Sequence, residues 1–209
     1  MQQNIIKNRS EIFHTLAQLW FKPDKAFYEN FFNESSTSVF IDQLHNVYGI
    51  PMPSLSFLKS FPAYETFSKE YEQLFSLSFG KMAAPLVESV YKKWTENPNI
   101  KLPQARLTGY IQGDSYSHMQ SLLNQLQIIL PKNCQADELS VILDVYAVLI
   151  EYAPIDSVQD FAEHHLDWLD HLEQRLTVSV EKHNFGQIFQ QLLELSKTLI
   201  ELDTKYYLP

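Results

Sequence analysis

Apolar residues in this chain recur at three- and four-residue spacing over long segments, and that period restricts the fold more than any other feature. Ile5, Ile6, Ile12, Phe13, Leu16, Leu19 and Trp20 mark the first run, over residues 5–20. Side chains three and four apart share one face of an α-helix, so each run supplies a stripe to bury against a neighbour. Pro23 and Asp24 restart a short helix carrying Phe27, Tyr28, Phe31 and Phe32. Ser35, Ser36, Thr37 and Ser38 are N-cap candidates for a third helix that ends near Gly49. Pro51, Pro53 and Pro62 then mark a turn-rich connection.

A fourth helix is predicted over about 64–77, with Phe67, Tyr71, Leu74 and Phe75 on one stripe, and Gly80 through Pro85 breaks it. A short helix over 87–94 follows, then a loop at 95–99 and an extended stretch around Pro103. Gly113, Asp114 and Ser115 cap a helix over about 116–130. Three long patterns close the chain, at about 137–152, 155–180 and 185–202. Only five glycines occur, and the ten prolines fall mostly between periodic runs, which argues against a many-stranded β fold. The reading is an all-α bundle, a single domain over residues 1–209, with a possible hinge where prolines gather between 95 and 110.

Apolar residues make up 45% of the chain and aromatics 13%, enough for a sizeable core and well above a disordered composition. The formal net charge of −9 disfavours nucleic acid and anionic membranes, which are bound through clustered Lys and Arg. It suits a basic partner, although solubility alone accounts for an acidic surface. The single cysteine, Cys134, excludes an internal disulfide and points to a reducing compartment. The first residues lack the long apolar core of a secretion signal, and no stretch of about 18 apolar residues is present. A cytoplasmic location is the expectation.

Catalytic signatures are sparse. On a continuous helix His164, Asp167 and His171 lie at i, i+3 and i+7, so one face would offer two imidazoles and a carboxylate to a metal. A helical metal-dependent enzyme built on these three is the rival functional reading. The plainer one is a solvated face opposite Phe161, Leu166, Leu169 and Leu172. Gly109 and Gly113 stand isolated, so no phosphate-binding loop is formed. Cys134 has no histidine beside it in sequence and reads as a spare thiol.

Glu70 and Glu88 flank the fourth-helix break, and Asp137 and Glu138 open the apolar helix that begins at Leu139. Asp137 fits two roles: a helix N-cap, or part of an acidic lip for a basic ligand. Leu74, Phe75, Tyr91 and Trp168 read as packing when each is taken alone.

Taken in order, four segments resemble the TorD/DmsD/NarJ family of redox-enzyme maturation chaperones. They are Arg9-x-x-x-Phe13-x-x-Leu16-Ala17-x-Leu19-Trp20-x-x-Pro23; Glu70-Tyr71-x-x-Leu74-Phe75 with Pro85-Leu-Val-Glu88-Ser89-Val90-Tyr91; Ala136-Asp137-Glu138-Leu139 with its apolar helix; and His165-Leu-Asp-Trp168-Leu with the tail Phe189 to Asp203. The resemblance implies an all-α fold of about ten helices in the cytoplasm. It also implies a non-catalytic protein, without cofactor or metal, that binds the twin-arginine leader or the apo form of a molybdopterin-containing oxidoreductase subunit. Such a protein holds its client for cofactor insertion and blocks premature export, as a monomer or homodimer.

The implied peptide site is a groove between the fourth helix, the Pro85–Tyr91 segment and the helix from Asp137. Its expected residues are Tyr71, Leu74, Phe75, Pro85, Glu88, Ser89, Tyr91, Asp137 and Glu138, with Glu88, Asp137 and Glu138 facing the leader's arginines. Two departures stand out: the family's Asp-His pair reads Asp137-Glu138 here, and the preceding proline is Ala136. The missing histidine is implicated in leader binding, and the replacement adds negative charge. Guanine nucleotides, linked to some members, are not carried over because the phosphate motif is missing.

Overall fold

The computed structural model describes residues 2–32, 34–76, 84–132 and 134–207. Among them are nine α-helices: α1 (Gln2–Trp20), α2 (Lys25–Phe31), α3 (Glu34–Tyr48), α4 (Tyr64–Phe75), α5 (Asp114–Gln125), α6 (Leu139–Tyr152), α7 (Ile155–His165), α8 (Leu169–His183) and α9 (Gln187–Tyr207). Two 3-10 segments, Met52–Lys59 and Glu88–Val90, join them, and the fold class is the all-α bundle that the periodicity implies. The expected break of the fourth helix at Gly80 lies outside the described residues.

α6 is the central element. Ten of its fourteen residues are buried, because Leu139, Ile142, Leu143, Val145, Tyr146 and Leu149 clothe it in apolar side chains on every face. α1 lies along it, burying Ile12, Phe13, Leu16, Ala17 and Trp20, and Phe13 meets Tyr146 edge-on at 4.8 Å. Trp20, Phe67, Tyr71 and Phe75 converge on Phe189 of α9, with ring centroids 4.8–6.4 Å apart, so α1, α4 and α9 share one aromatic core. The turn from α8 into α9 completes it. Gly186 has φ +89, and a Cβ there would collide with Leu74, so only glycine lets α4 approach this closely.

One buried polar network crosses this core. Asp203 of α9 accepts from Arg9 Nε at 2.7 Å and Nη2 at 2.8 Å, from Tyr48 Oη at 2.6 Å and from Tyr146 Oη at 2.7 Å. Both carboxylate oxygens are thereby satisfied by donors from α1, α3 and α6. Burial, then the Asp203 charge, pushes both phenols far above their ordinary range, so they remain donors. Arg9 of the first helix is thus a structural cation.

Local structure departs from the sequence reading at several places, one of them the helix expected over about 116–130, which ends at Gln125. Ser35 to Ser38 lie inside α3, not at its cap, and the Thr37 hydroxyl donates to Phe31 O across the α2–α3 turn. The helix expected over 87–94 shrinks to a single 3-10 turn. The pattern over 155–180 is two helices, broken at Leu166 to Trp168. That break buries Trp168, whose Nε1 donates to His165 O and whose ring stacks on Tyr91 at 5.1 Å. Residues 95–110, where prolines suggested a hinge, fold back on the 3-10 turn: Trp94 N–H donates to Leu107 O, Thr95 N–H to Ala105 O and Gly109 N–H to Val90 O. With α1 against α6 and α3 against α9, the N- and C-terminal halves interleave.

Replacing Asp203 by alanine strands a buried guanidinium and should cost about 3–5 kcal/mol. Tyr48→Phe removes one donor to a charge that keeps three others, and should cost about 1–3 kcal/mol. Urea unfolding measures both as falls in midpoint at constant slope. Similar small losses for the two variants would remove Asp203 from its structural role.

Candidate functional site

The site is organised by a short backbone pairing between two distant segments. Val87 and Glu138 form an isolated antiparallel bridge, Leu139 N–H donates to Leu86 O at 2.8 Å, and Glu88 N–H donates to Asp137 O at 2.9 Å. The helix expected over 87–94 stops after one 3-10 turn because the groups it would pair next are diverted, Trp94 N–H donating to Leu107 O and Val90 O accepting from Gly109 N–H. The Asp137 carboxylate then accepts the Ser89 N–H at 2.9 Å.

Glu88 and Asp137 are both fully buried. Burial pushes the Asp137 carboxyl above its usual range, Ser89 holds it partly down, and the Glu88 charge raises it again. Glu88 is balanced by Lys92, 2.9 Å from Oε1, and by His165, whose Nδ1 lies 2.7 Å from Oε2. Lys92 also pairs with Asp167 at 2.6 Å and donates to His164 O at 2.5 Å. From His165 the chain of contacts runs outward, its Nε2 lying 2.7 Å from Nδ1 of His118 on α5.

Beside the bridge a groove of about 470 Å³ opens between the end of α1, the last turn of α4, Leu86 and Val87, and residues 131–138. Phe21, Phe75, Leu86, Val87 and Pro131 give it apolar walls. Glu72 and Glu138 supply carboxylates, and Lys22 reaches Glu72 at 2.6 Å. Burial, then the Asp137 charge working against a Gln135 backbone bond, leaves the Glu138 carboxyl above its usual range. Cys134 lies on the wall with its thiol pushed up by burial and by Glu138, which is the opposite of an activated nucleophile.

The groove brings together Tyr71, Phe75 and Glu138 of the nine residues expected from sequence. Tyr71 is half-buried and its hydroxyl donates to Trp20 O at 3.1 Å. The expected acidic lip is corrected in two members: Glu88 and Asp137 face inward, Glu88 onto Lys92 and His165 and Asp137 onto the Ser89 N–H. Asp137 is no helix cap either, since Glu138 occupies that position and the Asp137 carboxylate turns to Ser89. Leu74, Pro85 and Ser89 are buried, Leu74 against Gly186. Tyr91 is half-buried beneath Arg175 and stacked on Trp168, away from the groove lining. Sequence reasoning missed Phe21, Lys22 and Glu72, which enter because α1 ends beside α4, and Gln135, which comes with residues 131–138.

The metal reading also loses its geometric basis. The break at 166–168 removes the i, i+3, i+7 register of His164, Asp167 and His171, and Asp167 is paired with Lys92. Among the described residues no group of three or more His, Cys, Asp or Glu is placed to hold a metal.

Burial, then the neighbouring His165, holds the His118 imidazole below its ordinary value. A base depressed in this way takes its proton more readily in the unfolded chain. Its contribution to stability is therefore complete above about pH 6.5 and is lost as pH falls through that range. His14 has the opposite sign: its bond to Asp144 raises it, so its contribution is lost as pH rises. Comparing urea unfolding of wild type and His118→Gln at about pH 7.5 and about pH 5 isolates the first effect. The acid-side loss should be smaller in the variant, and an equal loss would exclude His118 as its source.

The model of the nitrate reductase delta subunit family matches residues 62–181, more than half of the chain. That segment runs from α4 through most of α8 and contains the bridge, the buried carboxylates, the His118–His165 contact and most of the groove wall. No curated protein and no solved structure matches the chain. No described helix is long and apolar enough to cross a membrane. The chain belongs to the nitrate reductase delta subunit family, a family of redox-enzyme maturation chaperones.

Proposed function

We propose that this protein is a cytoplasmic, non-catalytic chaperone that holds the twin-arginine leader or the apo form of a molybdopterin-containing oxidoreductase subunit until its cofactor is inserted. The observation that carries the reading is the groove at the Val87–Glu138 bridge, where apolar walls meet two rim carboxylates inside the segment that defines the family. An apolar, helix-prone peptide stretch buries its side chains against Phe21, Phe75, Leu86 and Val87, as amphipathic helices do in grooves. Its arginines meet Glu138 and Glu72, where charge-assisted bonds are strongest.

Glu138 stands where the resemblance places a histidine, so here the rim gains a carboxylate at the position implicated in recognition. Such contacts contribute specificity and on-rate more than bulk affinity. Lys22 competes for the same site, because its ammonium already occupies Glu72. An incoming guanidinium must displace it.

Isothermal titration with a synthetic peptide carrying two adjacent arginines and an apolar stretch tests this. The double variant Glu72→Gln, Glu138→Gln should bind about tenfold or more weakly, a loss of about 1.4 kcal/mol. Lys22→Ala should bind more tightly than wild type, and added salt should weaken all three interactions. These residues are exposed or half-buried, so helicity should be unchanged. Indistinguishable affinities across wild type and variants would dismiss the groove as the peptide site.

A further inference from the structure

The loop that folds back on the 3-10 turn carries Leu102, Leu107, Tyr110 and Ile111, four large apolar side chains exposed within ten residues. Apolar residues scattered singly are ordinary on a protein surface, whereas a contiguous set marks an interaction surface. Backbone bonds gather this set. Trp94 N–H donates to Leu107 O and Trp94 Nε1 to Ile111 O at 3.2 Å, so both ends of the 107–111 stretch are pinned on one residue. Ala105 N–H closes a turn onto Leu102 O, and Thr95 N–H ties that turn down through Ala105 O. The Asp114 carboxylate accepts the Thr95 hydroxyl at 2.9 Å and the Glu96 N–H at 2.8 Å, which locks the base of the loop. The apolar set is therefore ordered before it meets a partner.

Cations edge it. Arg106 donates through Nη1 to Thr95 O and through Nη2 to Asn97 O at 3.0 Å. Both acceptors are carbonyls, so the guanidinium is held in place without being neutralised. Lys93 is paired with Glu96 at 3.0 Å, but among the described residues no carboxylate pairs with Arg106 or with exposed Lys101. On a chain of net charge −9, this loop is a basic, apolar exception.

We propose, on the peptide reading of the groove, that this loop docks into the groove of a second copy of this chain and covers it until a leader arrives. The two surfaces are complementary in both respects. The groove offers apolar walls at Phe75, Leu86 and Val87 and carboxylates at Glu72 and Glu138. The loop offers Arg106 with Leu107, Tyr110 and Ile111, a cation beside apolar side chains, which is the chemistry assigned to the leader. It is tied to Val90, Trp94 and Thr95 of its own chain, none of which lines the groove, so it meets a groove only on another molecule. A symmetric loop-to-loop contact would instead set Lys101 and Arg106 against their own copies, and like charges oppose that. The contact is thus head-to-tail, and longer assemblies grow from it unless a ring closes. The net charge of −9 on each copy keeps it weak, as suits a cover that a leader displaces.

Sedimentation equilibrium of the full-length protein from about 10 μM to about 1 mM tests this. The mass should rise with concentration. Leu107→Asp on the loop, and Glu72→Gln with Glu138→Gln on the groove, should each weaken association about tenfold or more. Leu107 is exposed and only its backbone carbonyl bonds to Trp94, so the variant keeps its fold. Mixed in equal amounts, the two variants should form a one-to-one complex and nothing larger, since one keeps its groove and the other its loop. An excess of the synthetic twin-arginine peptide should return the wild type to monomer, and Leu107→Asp should bind that peptide at least as tightly as wild type.

A constant monomer mass overturns the proposal, as does failure of the mixed variants to pair or an assembly that persists with peptide bound. Peptide binding by a strictly monomeric protein removes the self-docking and leaves the leader site standing. Pairing of the mixed variants without any peptide binding supports the self-docking and removes the leader site instead.

Discussion

A carboxylate moved from water into a protein interior loses several kcal/mol of solvation, and besides Asp203 this small helical domain buries Glu88 and Asp137, on two segments joined by the Glu88 N–H bond to Asp137 O. The rest of the site follows from how that cost is offset. The Ser89 N–H and the Leu86–Leu139 pairing hold Asp137, while Lys92 and His165 hold Glu88. The compensating groups come from the 84–92 segment itself, from α6 and from α7. The pairing therefore fixes the 84–92 segment against α6, and with it the wall of the groove. The same recruitment draws His165 inward at the end of α7, and the helix breaks immediately after it so that Trp168 can cover Tyr91.

The helices were legible in sequence because their stripes are long and the core is apolar enough to make the 3.6-residue period visible. α1, α4 and α6 were read close to their observed limits, and α9 runs five residues past the expected end at 202. What failed was local structure decided by distant partners. Residues 87–94 carry a helical pattern but spend the Glu88 and Ser89 N–H groups on Asp137, and Val90 O and Trp94 N–H on Gly109 and Leu107. Residues 155–180 keep their periodicity across a break that only the burial of Trp168 explains. Asp137 and Glu138 are adjacent acidic residues with the same local signal, yet one is sealed inside and the other lines the groove. Nothing within a few residues of either distinguishes them, because the choice is set by a strand-like register with Val87. The His118–His165 contact spans 47 residues and leaves no local trace.

The aromatic block of α4 shows why motif and function are hard to separate. Phe75 is nearly buried, packed on Trp20 and Phe189, and still lines the groove with one edge. Tyr71 does likewise, with its hydroxyl tied to Trp20 O. Reading these residues as core and reading them as ligand surface are both correct, since the groove is the outer edge of the core left uncovered where α1 ends. That arrangement makes the groove rigid on the α4 side. The adjustable elements are the charges: Lys22 and Glu72 are exposed and form a single surface ion pair, which is worth little in water and is easily exchanged for a better one.

The groove and the His118–His165 contact are joined by neighbouring residues of the chain. Leu86 and Val87 contribute side chains to the groove, and the next residue, Glu88, anchors His165 and through it His118. The backbone between them is held at both ends, by Leu139 N–H on Leu86 O and by Glu88 N–H on Asp137 O. A displacement of Val87 pulls on the Glu88 N–H bond to Asp137 O next to it. Because Glu88 is fully buried, its carboxylate cannot follow such a movement without leaving Lys92 or His165 unpaired, a penalty of several kcal/mol. The groove wall at Leu86 and Val87 is therefore a fixed surface, and ligands must conform to it.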